Sequence, residues 1–543
     1  MTEIRRGRMT GAAVKELAIV GGLLLVLAAV VFGPHARHGG FLSDDWAIYA
    51  LLHFSDQQGF LGGIDALLEQ PNIAQRPGFA IYLGVVGGVF GMHMGWYLAW
   101  AAAMGALLVL SVYWVLRLLK LPVLVAGAVS VLILLFPGAD AMRLWITASG
   151  VQLATAIAVL AFGLAILAFR AEGRRSLGLH AASVALYAAS VLFQEGALAL
   201  MCASVLLYLL VAQWRKAVMR WAVDLTVLLP IAVLVTSRSS FERQDGAGMV
   251  EHAEAMLSGA QTLLMSVVLP VVVDEWLVLA VAVLVLGAAV AVARSLRHGD
   301  PDRAQLRLYV VATLAGVGVV VAGYAMYVPA IDYYTPRAYG IGNRVNNVAS
   351  IGWMLCLVSI VMLAATLACR AVSWPRRYAQ AITVCAMVLV ALEYVGQLRT
   401  DAGRYQRAYA TGARALATMR ASVPKPPANA VVWTFGQPIE QVPGIPIFGN
   451  TWDMTTSVQL MWRDPTLSSV PAYPGLRFDC RATAVEPAGS RFGKSFRAAY
   501  GKSYFVDTVT GTYAVPRSQA ECLEITRRWK RSPPTAEPGG YDS

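Results

Sequence analysis

Residues 76–120 read "RPGFAIYLGVVGGVFGMHMGWYLAWAAAMGALLVLSVYWVLRLLK". Two apolar runs lie in this stretch, and they differ in length. The first, 78–92, has about 15 residues and is interrupted by several glycines. The second, 95–117, reaches the ~20 apolar residues that a helix needs to cross a bilayer. Whether the first run also crosses decides the sidedness of every later loop.

Composition says why crossing is the right question. Of 543 residues, 57% are hydrophobic and only 14% are charged, against roughly a quarter charged in an ordinary soluble domain. That deficit excludes a soluble globular enzyme and indicates an α-helical polytopic membrane protein. The formal charge of +12 does not imply nucleic acid. Its cations sit in short clusters between apolar runs, and no basic stripe alternates with aromatics as single-stranded nucleic acid requires.

The length rule places spans near 16–33, 95–117, 121–137, 149–170, 177–193, 195–213, 217–237, 276–295, 307–328, 348–369 and 376–396, about eleven in all. The N-terminal run is long and lacks a small-x-small cleavage site, so it reads as an uncleaved first span. With the N-terminus and its Arg5, Arg6 and Arg8 in the cytoplasm, the inner loops carry Arg117 and Lys120, then Arg170, Arg174 and Arg175, then Arg215, Lys216 and Arg220. The later inner loops carry Arg294, Arg297, Arg303 and Arg307, then Arg370, Arg376 and Arg377. This agrees with the positive-inside rule only if 78–92 does not cross. That run is therefore read as a re-entrant or interfacial helix within a first outer loop, 34–94. The other outer segments are 238–275 and 329–347.

Beyond 396 the hydropathy falls. "RYQRAYATGARALATMRASV" (404–423) reads as an amphipathic helix. "NAVVWTF" (429–435), "YFVDTV" (504–509) and "GTYAVP" (511–516) read as strands, and "SQAECLEITRRW" (518–529) as a helix. The expectation is a membrane domain over 1–396, a soluble extracytoplasmic α/β domain over 397–530 and a disordered tail over 531–543. Outside the cell Cys480 and Cys522 can form a disulfide, with two free thiols as the alternative. Cys202, Cys356, Cys369 and Cys385 read as packing residues.

The polar residues that invite chemistry lie on the outer side. In "HGGFLSDDWAIYALLHF" (38–54), Asp44 and Asp45 follow the first span. One reading is a helix start with Ser43 as N-cap and the acids on the helix dipole. Another is a general base whose pKa is raised by burial and by its neighbour. Two adjacent acids alone are a poor metal-ligand set. Arg76, Arg143, Arg238, Arg243, Arg337 and Arg344 are candidates for phosphate, which the arginine fork fits; each is equally readable as a surface or snorkelling cation. Glu195, near the outer end of a span, reads either as a functional ionisable residue at membrane depth or as an outer-edge acid paired to an arginine. Trp46, Tyr49, Tyr333 and Tyr334 can stack on sugars or serve as interfacial aromatics. His53 and His93 read as interfacial.

The acid pair after the first span, Arg76-Pro77 opening a short helix that ends at Phe90-Gly91, and a long second span closed by Arg117 and Lys120 resemble the GT-C superfamily of membrane glycosyltransferases. "FQEGALAL" (193–200) and "NRVNNVASIGWML" (343–355) are further similarities, so the resemblance covers roughly 1–396. A His-Pro-Pro type motif is absent, and Gln194 stands where many relatives have Lys. The resemblance implies transfer of a sugar from a polyprenyl-phosphate donor to a glycan, lipid or protein acceptor on the outer face of a bacterial cytoplasmic membrane. Asp44 (first choice) or Asp45 would be the base, and Arg337, Arg344 and Arg76 would hold the lipid phosphate. Glu195, Arg143, Trp46, Tyr333 and Tyr334 are expected at the cavity. No cofactor is implied, and a divalent metal stays open. The competing readings are a lipid or glycan transporter or flippase, and a non-catalytic envelope assembly subunit. A transporter is expected to show inverted repeats and broken helices, neither of which the sequence displays.

Overall fold

The computed structural model describes residues 11–55, 59–237, 245–269, 303–330, 334–473, 476–488, 496–529, 531 and 535. Among the described residues, eight helices are long and apolar enough to cross a membrane. They are α1 (Gly11–His38), α5 (Met94–Leu118), α7 (Ser149–Arg170), α8 (Gly173–Phe193), α9 (Trp214–Ser237), α11 (Ala304–Ala325), Ile341–Ala371, whose α-helical part is α12 (Asn347–Ala371), and α13 (Arg376–Ser422). Ile19, Leu23 and Val30 on α1, Val233 on α9 and Leu389 and Leu392 on α13 are exposed. Continuous apolar faces of this kind belong against lipid. The chain is a multi-pass helical membrane protein.

Two expected spans take a different form from the reading above. At 121–137 the helix α6 (Val123–Leu135) has only 13 residues, about 20 Å of length. Pro137 ends it by holding Phe136 in extended backbone (ψ 113°). Most of α6 is buried by its neighbours, and the short segments Pro137–Ala139 and Ala141–Leu144 carry the chain on towards Thr147. The stretch 195–213 is not one helix: it breaks into Glu195–Ala197, Leu198–Cys202 and Ser204–Val211. The span expected at 276–295 lies outside the described residues, as do Arg5, Arg6, Arg8, Arg238, Arg243, Arg294 and Arg297.

The 78–92 run forms α4 (Pro77–Phe90), with Pro77 at its first turn and Gly91 at φ 51° after it. At 14 residues it is about 21 Å long, too short for a ~30 Å hydrocarbon core. Between α1 and α4 lie α2 (Asp44–Ser55) and α3 (Gly59–Leu68). The segment after α9 contains α10 (Gly246–Leu263), capped by the Asp245 carboxylate on the Gly248 amide at 2.8 Å.

In the bundle α1 packs on α5, α5 on α7, α7 on α8, and α11 on α12. Glycine permits the last contact. A side chain at Gly316 would meet the Gly352 carbonyl at 2.8 Å, and one at Gly323 would meet the Ala349 amide at 2.7 Å. Small residues of this kind let membrane helices approach by their backbones.

The boundary expected at 396/397 falls inside α13, a single helix of 47 residues. It runs about 70 Å without a break. Its distal half carries a strand-bearing unit. Strands β1 (Val431–Phe435), β4 (Ser468–Pro471), β8 (Ser503–Asp507) and β9 (Tyr513–Ala514) form one sheet in the order β4-β1-β8-β9. β1 is parallel to β4 and β8, and β9 is antiparallel to β8. All five residues of β1 are buried, as in a strand covered on both faces. Smaller sheets pair β2 (Glu440–Val442) with β3 (Ile445–Pro446), and β5 (Arg477–Cys480) with β6 (Ala484–Ala488) and β7 (Ala498–Ala499). Helices α14 (Thr451–Trp462) and α15 (Gln519–Arg528) complete the unit. Cys480 and Cys522 are joined by a disulfide beside the core of Trp433, Phe435, Phe478 and Phe505. Of the other cysteines Cys356 and Cys369 are buried, Cys202 is half-buried and Cys385 is exposed.

Candidate active site

Asp44 and Asp45 open α2, and the fold treats them differently. Asp45 is buried. One of its oxygens accepts the Leu42 amide (3.0 Å); the other accepts both the Thr147 amide (2.9 Å) and the Thr147 hydroxyl (2.5 Å). Burial pushes its carboxyl up to about 7, opposed by the bonds from Thr147 and Leu42 and assisted by the Asp44 charge. Ser43 does not take the extended backbone of an N-cap; it sits at φ 49°.

Asp44 is half-buried. Its Oδ1 accepts the indole N–H of Trp452, 408 residues away, at 3.0 Å. Its Oδ2 takes no hydrogen bond among the described residues. Trp452 is the second residue of α14, which packs against α2. Asn450 and Asp453 close a reciprocal capping box at the start of α14. Asp453 is fully buried, and burial pushes its carboxyl up to about 8. The strand-bearing unit thus reaches the acid pair directly.

The segment 145–147 links the acids to the arginines. Its Thr147 holds Asp45, and the Trp145 indole donates to the Leu42 carbonyl at 3.1 Å. On the ring of that same Trp145 lies the Arg344 guanidinium, 5.1 Å from the centroid, with Tyr334 on it at 5.5 Å. Two asparagines fix this corner. Asn343 donates to the Asp140 carboxylate (2.7 Å) and the Pro137 carbonyl (3.1 Å). Asn346 donates to the carbonyls of Gly138 (2.6 Å) and Arg337 (2.8 Å). The Arg337 side chain is exposed and crosses Gly342 in the same turn.

Arg76 and Glu195 come together as a bidentate ion pair, with Nε on Oε2 at 2.9 Å and Nη2 on Oε1. The fork of Arg76 is therefore filled by a carboxylate, while its charge acts on both Arg344 and Tyr334. Arg143 is buried, donates to the Phe136 carbonyl at 2.7 Å and lies over Phe32. Trp46 is buried between Phe41 and Phe448, and Tyr333 lies outside the described residues. Behind Asp45 is a small aromatic cavity lined by Phe41, Tyr49, Tyr82, Tyr97, Trp100 and Thr147, among others. Among the described residues no group of three His, Cys, Asp or Glu side chains is arranged to hold a metal ion.

Sequence reasoning missed Thr147, Trp145, Asn343, Asn346 and Trp452. The asparagines stood inside a stretch already singled out, "NRVNN". Thr147 and Trp452 carry no local signal, because their partners are 102 and 408 residues distant.

The fold and this corner together define a multi-pass helical membrane protein with carboxylates and arginines gathered around one short segment. No family model matches the chain, and no curated protein matches it. Solved structures similar to it include ArnT from Cupriavidus metallidurans bound to undecaprenyl phosphate, at 13% identity and TM-score 0.42, covering 82% of this chain and 85% of that one. The same protein in its apo state gives 13% identity and TM-score 0.38, with coverage of 82% and 84%. The oligosaccharyltransferase of Archaeoglobus fulgidus, tethered to an acceptor peptide, gives 13% identity and TM-score 0.39, covering 82% of this chain and 63% of that one.

Proposed function

We propose that the chain is a GT-C-type membrane glycosyltransferase that moves a sugar from a polyprenyl-phosphate donor to an acceptor hydroxyl. In this reading Asp44 takes the proton from the acceptor hydroxyl as its oxygen bonds to the anomeric carbon. The bond from that carbon to the phosphate oxygen breaks, and polyprenyl phosphate leaves with both electrons. Asp45, whose oxygens already accept three hydrogen bonds, holds the α2 start against Thr147. Arg344, with Arg337 beside it, binds the departing phosphate, and Arg76 reinforces the field while paired to Glu195. The observation that carries the reading is the 145–147 segment, which holds an acid of the pair on one residue and an arginine on another. The sequence resemblance supports it independently.

The site is assigned to the extracytoplasmic face of a bacterial cytoplasmic membrane, with the N-terminus inside. The distribution of lysine and arginine supports that orientation. So does the disulfide, which belongs to an oxidising compartment. The test is sugar transfer by purified protein with a panel of synthetic polyprenyl-phosphate sugars. Asp44→Asn is expected to lower turnover at least 100-fold while donor binding is kept, the range of a general base. Unchanged turnover in Asp44→Asn would overturn the assignment.

One observation favours a transporter instead: the broken helix at 195–211, a feature of alternating-access folds. Lipid-linked sugar crossing proteoliposome membranes without transfer, and independent of Asp44, would establish that reading.

A further inference from the structure

The Trp452 indole is anchored and yet open. Its helix start is fixed by the Asn450–Asp453 box, where the Asp453 carboxylate accepts the amides of Gly449 (3.0 Å) and Asn450 (3.1 Å). Phe448 on one side and Met454 on the other are fully buried. Between them Trp452 is 47% exposed, forgoing the burial that an indole gains in a core. Its N–H is spent on Asp44, so what it offers a ligand is its ring face. A flat aromatic face suits the C–H face of a pyranose or furanose ring, which is apolar on that side while its hydroxyls point outward.

Resting on the transferase reading above, we infer that Trp452 orients the base and forms the platform for the acceptor, which is itself a saccharide. The proton that Asp44 takes comes from the acceptor. A ring held by its N–H against that carboxylate therefore lies on the acceptor side of the reaction. Trp452 is a positioning residue for Asp44 and a specificity residue for the acceptor. A peptide or simple lipid hydroxyl has no sugar ring to lay on it.

Two substitutions separate the two roles. Trp452→Phe keeps a ring face and removes the N–H donor. A base that loses the partner orienting it is less often in the productive geometry. kcat is therefore expected to fall about tenfold, with acceptor KM within about twofold of wild type. Trp452→Gln keeps an N–H donor and removes the face. Acceptor KM is then expected to rise about tenfold or more, with kcat within about threefold of wild type. Both variants are checked for a melting temperature close to wild type.

Acceptor binding is also read without turnover, by saturation-transfer NMR of the detergent-solubilised full chain with methyl glycosides of glucose, galactose, mannose and arabinose. Saturation of ring C–H protons, lost in Trp452→Gln and kept in Trp452→Phe, supports the inference even where no donor is turned over. Wild-type binding of none of these glycosides overturns it. So does transfer to a peptide or lipid acceptor only, which would leave the transferase reading intact. Equal loss of kcat in both variants, with acceptor KM unchanged in Trp452→Gln, means a purely structural tryptophan and overturns the inference.

Discussion

At the residue scale, three carboxyls meet where α2 faces α14, and burial sorts them. Asp453 holds its proton up to about pH 8. A carboxyl raised in the folded chain stabilises it fully below its unfolded value, near 4, and that stability is lost as pH rises through the folded value. Thermal melts of wild type are therefore expected to fall by a few degrees between pH 5 and pH 8.5. Asp453→Asn, which cannot titrate, should flatten that slope; a slope that survives the substitution assigns the titration elsewhere. Asp45 contributes in the same sense over a narrower window, from about 4 to about 7. Arg344 makes a different prediction. Its stacked position between Trp145 and Tyr334 suits a planar guanidinium, so Arg344→Lys should weaken binding of a polyprenyl-phosphate donor about tenfold, and Arg344→Ala more. Equal donor affinity in wild type and Arg344→Ala, measured by calorimetry, would remove Arg344 from the phosphate site.

At the element scale, the glycine contact between α11 and α12 should be intolerant of bulk. Gly316→Leu drives a side chain into the Gly352 carbonyl, and overpacking of this kind costs about 1–3 kcal/mol. A lower melting temperature in detergent checks it, and Gly318→Leu, where nothing lies within 4 Å, is the control. The elements were unequally legible. Helix α4 was readable as a non-crossing segment because its length, its opening Pro77 and its closing Gly91 all speak locally. The run at 121–137 is legible as an apolar helix, but its end at Leu135 and its burial are not, because apolarity alone does not tell a helix buried in protein from one that faces lipid; both are hydrophobic all round. The break after Glu195 was illegible for another reason. That residue is drawn out by an ion pair with Arg76, 119 positions earlier, and no periodicity encodes such a partner. For the acid pair, the sequence supplied its position and its candidate roles. Which acid is locked and which is open follows from Thr147 and Trp452, and only the folded chain brings those to it.

At the scale of the whole molecule, the strand-bearing unit is held together by its own bonds as well as by α13. The Cys480–Cys522 link closes a separation of 42 residues, for which chain entropy gives about 4 kcal/mol. Cys480→Ser is expected to lower the melting temperature of this unit. Activity should fall with it, because Trp452 reaches Asp44 from the same unit; full activity after reduction would separate the unit from catalysis. The helix that joins this unit to the bundle has a consequence of its own. Near its middle Asp401 and Tyr405 are buried, with the Tyr405 ring edge-on to His35 of α1 at 6.2 Å. Such a contact acts as a fulcrum, and α13 is a beam with no hinge on either side of it. A rotation of about 5° in the membrane arm would displace the far end, some 25 Å beyond the fulcrum, by about 2 Å. Bilayer thickness, which sets helix tilt, is therefore expected to reach the strand-bearing unit through this beam, and turnover compared in thin and thick bilayers checks it.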